Sequence, residues 1–220
     1  MIDLYIDSAE TSAWAALMPT GLFCGITTNP LLAQRAGLSY PAIDWGQMAR
    51  RAADLGAREL HAQVAGPVAG WVDFAQALYD HGRAAGLQAV VKVPLSEAGI
   101  RAVPAIRALG GRVLMTAAYD AKQMFVATGL GADYIAPYFG RMLERGLPAY
   151  EALGQMRAIG LASGAPTRIL VASLRDTGQM VRLAAEGQDC FTLAPGVAQA
   201  LLSDPHTVAA VEEFEAAAAS

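Results

Sequence analysis

At 220 residues, 54% hydrophobic and 16% charged, the chain has the size of one domain with a large core. Its net charge of −4 supplies no basic surface for nucleic acid, and no apolar run reaches the roughly 18 residues that cross a membrane. The opening MIDLYIDSAE holds three acids and no base and does not read as a signal peptide, so the expected location is the cytoplasm. Cys24 and Cys190 have no neighbours at metal-ligand spacing and read as buried free thiols in that reducing compartment.

In chain order, short apolar runs predict strands at Asp3–Asp7, Leu22–Thr27, Glu59–Val64, Ala89–Val93, Arg112–Thr116, Tyr134–Pro137, Ile169–Ser173 and Cys190–Leu193. Stretches rich in Ala, Leu and Arg predict helices at Tyr40–Leu55, Gly66–Ala85, Glu97–Leu109, Ala118–Thr128, Leu147–Ser163 and Thr177–Glu186. Several of these end at glycines, the residue suited to the left-handed turn that closes a helix. Strands apolar on both faces and alternating with helices indicate a parallel sheet covered by helices. Eight such units in this length predict a single-domain α/β protein, a (β/α)8 TIM barrel spanning 1–220, with a C-terminal helix and tail after about residue 203. An open doubly wound sheet is the alternative, but no glycine-rich dinucleotide fingerprint follows the first strand, where the chain reads Asp7-Ser8-Ala9-Glu10.

The ends of these strands are polar: Asp7, Thr27 with Asn29, Gln63, Lys92, Thr116, Tyr138 and Ser173. A barrel's active site lies at the C-terminal ends of its strands, where the βα loops converge. One polar strand end caps the next helix, but lysine, tyrosine and glutamine are poor caps. Seven together point to an active site.

Lys92 stands inside the apolar run AVVKVP, in a chain with fourteen arginines and only two lysines. Arginine keeps its proton, whereas a buried lysine readily loses it and becomes a nucleophile for a carbonyl. A lysine snorkelling to the surface, or paired with Asp7, is the bland alternative. Asp7 is the only carboxylate at a strand end and the best candidate for acid–base work or for holding a substrate hydroxyl. Thr116, Gln63 and Tyr138 are placed to hold a proton-carrying water, and Asn29 to fix a hydroxyl. Ser173, Arg175 and Arg141 suggest a phosphate site, with solvated surface arginines as the alternative. His61, two residues before Gln63 and able to share its face of the strand, reads as a packed histidine or one that supports a site residue, and His81 and His206 lack partners at metal spacing.

Taken together, LYIDS, GITTNPLL, HAQV, VVKVPLSEAG, LMTAAY, APYFGRM and ILVASLR resemble the transaldolase family. The likeness is strongest to its short branch, which contains fructose-6-phosphate aldolase, and runs from Ile2 to about Phe214. The resemblance implies a (β/α)8 barrel and a class I aldol mechanism without metal or other cofactor. It makes Lys92 the Schiff-base lysine, Asp7 the acid–base or hydroxyl-binding carboxylate, and Asn29 and Thr27 substrate-binding residues. Thr116, Gln63 and Tyr138 then surround a catalytic water, and Ser173, Arg141 and Arg175 hold a phosphate.

Within the family, transaldolases carry glutamate where this chain has Gln63 and usually phenylalanine where it has Tyr138. Glutamine and tyrosine therefore imply an aldolase that splits a ketose phosphate such as fructose 6-phosphate. Transaldolase is the alternative, and a sugar-phosphate-binding barrel without chemistry is a second one. Three departures stand out: Arg141 lacks its usual polar neighbours, Arg175-Asp176-Thr177 replaces a lysine-containing turn, and the tail is short. Relatives form decamers of two pentameric rings, so the resemblance also implies a homo-oligomer of open stoichiometry.

Overall fold

The computed structural model describes residues 2–219. Eight parallel strands form one sheet: β1 (Asp3–Asp7), β2 (Gly25–Thr27), β3 (Glu59–Gln63), β4 (Gln88–Pro94), β5 (Arg112–Ala118), β6 (Tyr134–Pro137), β7 (Arg168–Ile169) and β8 (Cys190–Leu193). Their order is β7-β6-β5-β4-β3-β2-β1-β8. The seam between β7 and β8 closes through hydrogen bonds from Val171 N to the Cys190 carbonyl and from Thr192 N to the Val171 carbonyl, both 2.9 Å. This is the (β/α)8 barrel expected from the alternation of strands and helices.

The helices that cover it are α1 (Thr11–Leu17), α2 (Pro30–Arg35), α3 (Trp45–Asp54), α4 (Trp71–Ala85), α5 (Glu97–Arg107), α6 (Gln123–Gly129), α7 (Phe139–Glu144), α8 (Ala149–Ser163), α9 (Thr177–Ala185), α10 (Pro195–Ala200) and α11 (Pro205–Ala218). Several expected bounds shift. The helix expected over Tyr40–Leu55 is a 3-10 turn at Tyr40–Ala42 followed by α3, whose Asp44 side chain accepts from Gln47 N and starts the helix there. The helix expected from Ala118 begins at Gln123, because β5 runs on through a bulge at Ala117 to pair Ala118 with Pro137. The strand expected from Leu22 begins at Gly25. The short helices α1, α2, α7 and α10 have too few turns to show a period in the sequence.

The apolar residues divide into two clusters. One lies between the strands and the helices and includes Ile6, Leu60, Val91, Met115 and Ile135. The other fills the barrel: Tyr5, Val90, Leu114, Tyr134, Leu170 and Cys190. A barrel of eight strands staggers by about one residue per strand, so each inward layer takes four side chains from alternate strands. The register then stacks Asp3, Glu59, Arg112 and Arg168 at the floor; Gly25, Val90, Tyr134 and Cys190 next; Tyr5, His61, Leu114 and Leu170 in the middle; Thr27, Lys92, Ala136 and Thr192 above; and Asp7, Gln63, Thr116 and Ala172 at the rim. Contacts agree with this stacking, since Arg168 pairs with Asp3, Arg112 with Glu59, and Thr27 with Thr192.

Candidate active site

Lys92 sits in the penultimate layer, 4% exposed. Apolar neighbours on β4 hold the strand in the wall, and the two-residue period turns Val90 and Lys92 inward. Its amine makes no hydrogen bond and no ion pair among the described residues, yet it opens on the cavity at the barrel mouth. Burial lowers its pKa from the ordinary lysine value, against the opposing pull of the Asp7 charge.

Asp7 ends β1 one layer above. Its Oδ1 accepts from the Thr27 hydroxyl at 2.6 Å, and the Thr27 and Thr192 hydroxyls lie 2.6 Å apart. Across the mouth the Thr116 hydroxyl donates to the Tyr138 hydroxyl at 3.2 Å. Burial pushes the Tyr138 phenol up, only partly offset by the Thr116 bond, so it stays protonated at neutral pH. Arg141, on α7, stacks over the Tyr138 ring with its guanidinium carbon 4.8 Å from the centroid.

Asn29 has two duties. Its Oδ1 accepts from Leu32 N at 3.0 Å and caps α2, while the residue also lines the cavity. Ser173 adopts a left-handed backbone, φ 65°, which is costly for a residue with a Cβ. Gly140 meets it: a Cβ there would lie 2.0 Å from the Ser173 carbonyl oxygen. Glycine at 140 thus lets α7 press against the end of the strand above the cavity.

The cavity gathers Asp7, Asn29, Lys92, Thr116, Tyr138, Arg141, Ser173 and Arg175. Two expected site residues stand apart from its lining. Thr27 is wholly buried and reaches the site only through Asp7 and Thr192. Gln63 pairs with Lys92 across β3 and β4, and its backbone N and O are tied to the Tyr40 hydroxyl. Arg175 is occupied by an ion pair to Glu144 at 2.7 Å. Asp176 accepts from Gln179 N at 2.8 Å and caps α9, which accounts for an acid beside the arginine.

Thr192 and Arg35 also line the cavity, and sequence reasoning missed both. Thr192 stands one residue before a strand end and was legible from inward alternation along β8. Arg35 comes from the last turn of α2, a helix too short to be read from its period.

A (β/α)8 barrel with a buried, pKa-depressed lysine open to its C-terminal mouth is an arrangement that can carry out amine chemistry on a carbonyl. The comparisons narrow the class. A family model described as "Transaldolase/Fructose-6-phosphate aldolase" matches residues 4–220, and the chain belongs to that family. It is thereby an enzyme of the aldolase/transferase type. A probable transaldolase of Phenylobacterium zucineum is 32% identical over 97% of this chain and 94% of that protein. One of Ruegeria pomeroyi is 31% identical over 96% and 93%. Among solved structures, a mandelate oxidase variant superposes with a TM-score of 0.63 at 17% identity, over 90% of this chain and 66% of the oxidase. A lactate oxidase of Pediococcus acidilactici gives 0.60 at 13%, over 89% and 63%. This chain thus spans slightly under two thirds of those oxidases, and the likeness is one of barrel fold alone.

Proposed function

We propose that this protein is a class I aldolase that reversibly cleaves a ketose phosphate such as fructose 6-phosphate into dihydroxyacetone and glyceraldehyde 3-phosphate. The observation that carries the reading is Lys92: buried, unpaired among the described residues, with a depressed pKa, and open to a cavity that also holds a carboxylate and a protonated tyrosine.

The neutral amine attacks the C2 carbonyl, and the carbonyl oxygen leaves as water to give a protonated imine. Asp7 takes the proton of the C4 hydroxyl while the C3–C4 electrons move into the imine nitrogen, releasing the aldehyde and leaving an enamine. Tyr138, its hydroxyl held by Thr116, protonates the enamine carbon, and water then frees dihydroxyacetone and the lysine. Asn29 and the Thr27–Thr192 pair, acting through Asp7, orient the donor hydroxyls. Ser173 and Arg141 receive the phosphate, with Arg35 close by. Gln63 supports the rim layer beside Asp7 and Thr116. In this reading the enzyme acts in the cytoplasm as a homo-oligomer.

Transaldolase, which passes the three-carbon unit to an aldehyde acceptor, is the second reading, favoured by the names of the relatives. The two part at enamine protonation. The deciding assay is glyceraldehyde 3-phosphate release from fructose 6-phosphate, with and without erythrose 4-phosphate. The aldolase reading expects release without the acceptor, and Tyr138→Phe should slow it about 100-fold. Release only with acceptor replaces aldolase by transaldolase. No borohydride-trapped adduct on Lys92 with any sugar overturns both.

A further inference from the structure

Beneath the lysine lies a polar cluster that the proposed chemistry does not use. Glu59, at the start of β3, accepts from the Tyr5 hydroxyl at 2.9 Å, the Tyr134 hydroxyl at 3.1 and 3.2 Å, Arg112 at 2.6 Å and His61 Nε2 at 2.8 Å. Burial works against its charge, but the bonds from His61 and Tyr5 and the Arg112 charge outweigh burial and hold its pKa below the usual carboxylate range. An ionised Glu59 can only accept, so the proton of His61 must sit on Nε2. The ring is clamped between Tyr5 and Tyr134, with centroids 5.0 and 5.4 Å away.

This fixes the other nitrogen as a bare lone pair. Among the described residues His61 Nδ1 is buried without a hydrogen-bond partner, an arrangement that is costly unless the atom serves something. Its layer lies directly under that of Lys92, whose amine is also without a protein partner among the described residues. The charged and titratable groups around the ring are Glu59 on its own strand, Tyr5 on β1, Arg112 on β5, Tyr134 on β6, Cys190 on β8 and Lys92 on β4. The first five lie level with the ring or toward the floor. Toward the mouth lie Lys92, in the next layer, and Asp7 at the rim above it; Lys92 is a pure donor when protonated.

We propose that His61 is a positioning residue for Lys92, its Nδ1 accepting a hydrogen bond from the lysine ammonium when the side chain turns inward from the mouth-facing position seen in this structure. The amine leaves this partner when it turns to the mouth as a nucleophile. Burial keeps His61 neutral despite the raising influence of Glu59, so it offers an acceptor rather than a competing charge. The inference gives Lys92 a catalytic context and so rests on the proposed function, but its test needs no turnover.

With only Lys92 and Lys122 in the chain, lysine-labelled protein carrying Lys122→Arg gives a single lysine side-chain resonance whose pH titration reads Lys92 directly. His61→Phe should lower the Lys92 midpoint by about one to two pH units, the worth of a hydrogen bond to a charged group. His61→Gln, which keeps an acceptor, should restore most of it. An unchanged midpoint in His61→Phe, or an equal fall in both variants, overturns the inference. Should neither variant fold, the ring nitrogens of the unaltered protein decide by 15N shifts. A neutral Nε2–H ring whose Nδ1 signal moves in Lys92→Met supports the proposal, and an unmoved signal overturns it. A protein that forms no trapped adduct with any sugar, yet shows these shifts, would refute the aldol reading and leave this one standing.

Discussion

The two ends of the barrel hold comparable numbers of polar side chains and treat them in opposite ways. At the floor, Asp3 pairs with Arg168 at 2.5 Å and with Arg58 at 3.5 Å, Arg168 also reaches Asp189 at 3.3 Å, and Glu59 collects four donors. At the mouth, among the described residues, Lys92 has no hydrogen-bond or ion-pair partner and the Asp7 carboxylate hydrogen-bonds only to Thr27. Ser173 and the bulged Ala117 hold left-handed backbone conformations, φ 65° and 61°. The floor satisfies its charges and closes the barrel, whereas the mouth leaves Lys92 unpaired among the described residues and the backbone at Ser173 and Ala117 strained. In this fold, conserving stability and performing chemistry are separated along one axis.

The largest expected effect breaks the mouth. Lys92→Met should lower turnover by roughly 10⁴-fold or more and abolish borohydride trapping, with the circular dichroism spectrum intact. It should also change the pH dependence of stability. The folded pKa of Lys92 lies below its unfolded value of about 10.4, so between the two the unfolded chain binds more protons and stability rises with pH. The melting temperature of the variant relative to the parent should therefore be highest below the folded pKa of Lys92 and fall back as the pH approaches the unfolded value of about 10.4. A constant offset would mean that the amine is not desolvated.

Breaking the floor should show the reverse profile. Glu59→Ala strands Arg112, His61 and two tyrosines, at a cost of about 3–5 kcal/mol, read as a fall of about 6–20 °C in melting temperature. Any folded fraction should keep a trappable lysine. The smallest effect sharpens the mouth itself. Arg141→Ala should raise the KM for a phosphorylated ketose about tenfold and leave an unphosphorylated one unchanged. Arg175→Ala, already tied to Glu144, should shift it by less than about threefold. Equal effects would place Arg175 in the phosphate site after all.

The residues alone went far toward the fold and toward the lining of the cavity at the barrel mouth. Short apolar runs predicted eight strands, and polar strand ends such as Asp7, Lys92, Thr116 and Tyr138 pointed to one mouth, because such runs and the barrel's geometry are local and repetitive. Lys92 stood out for a chemical reason: a lysine in an apolar run of an arginine-rich chain suggests that an amine able to lose its proton is needed there, with snorkelling or a pair with Asp7 as the alternative. His61, by contrast, read as a packed or supporting residue, since nothing in HAQV shows that Glu59 would gather four donors and fix the imidazole's proton. Arg175 looked free beside Ser173 until α7 brought Glu144 to it, and Arg35 and Thr192 joined the mouth without any motif to announce them. Sequence determines which residues face inward, because that follows from the spacing of neighbours along the chain. Which inward residues end up paired depends on closure of the barrel, which places residues 54, 129 or 165 positions apart within hydrogen-bond reach, and only the tertiary structure decides that.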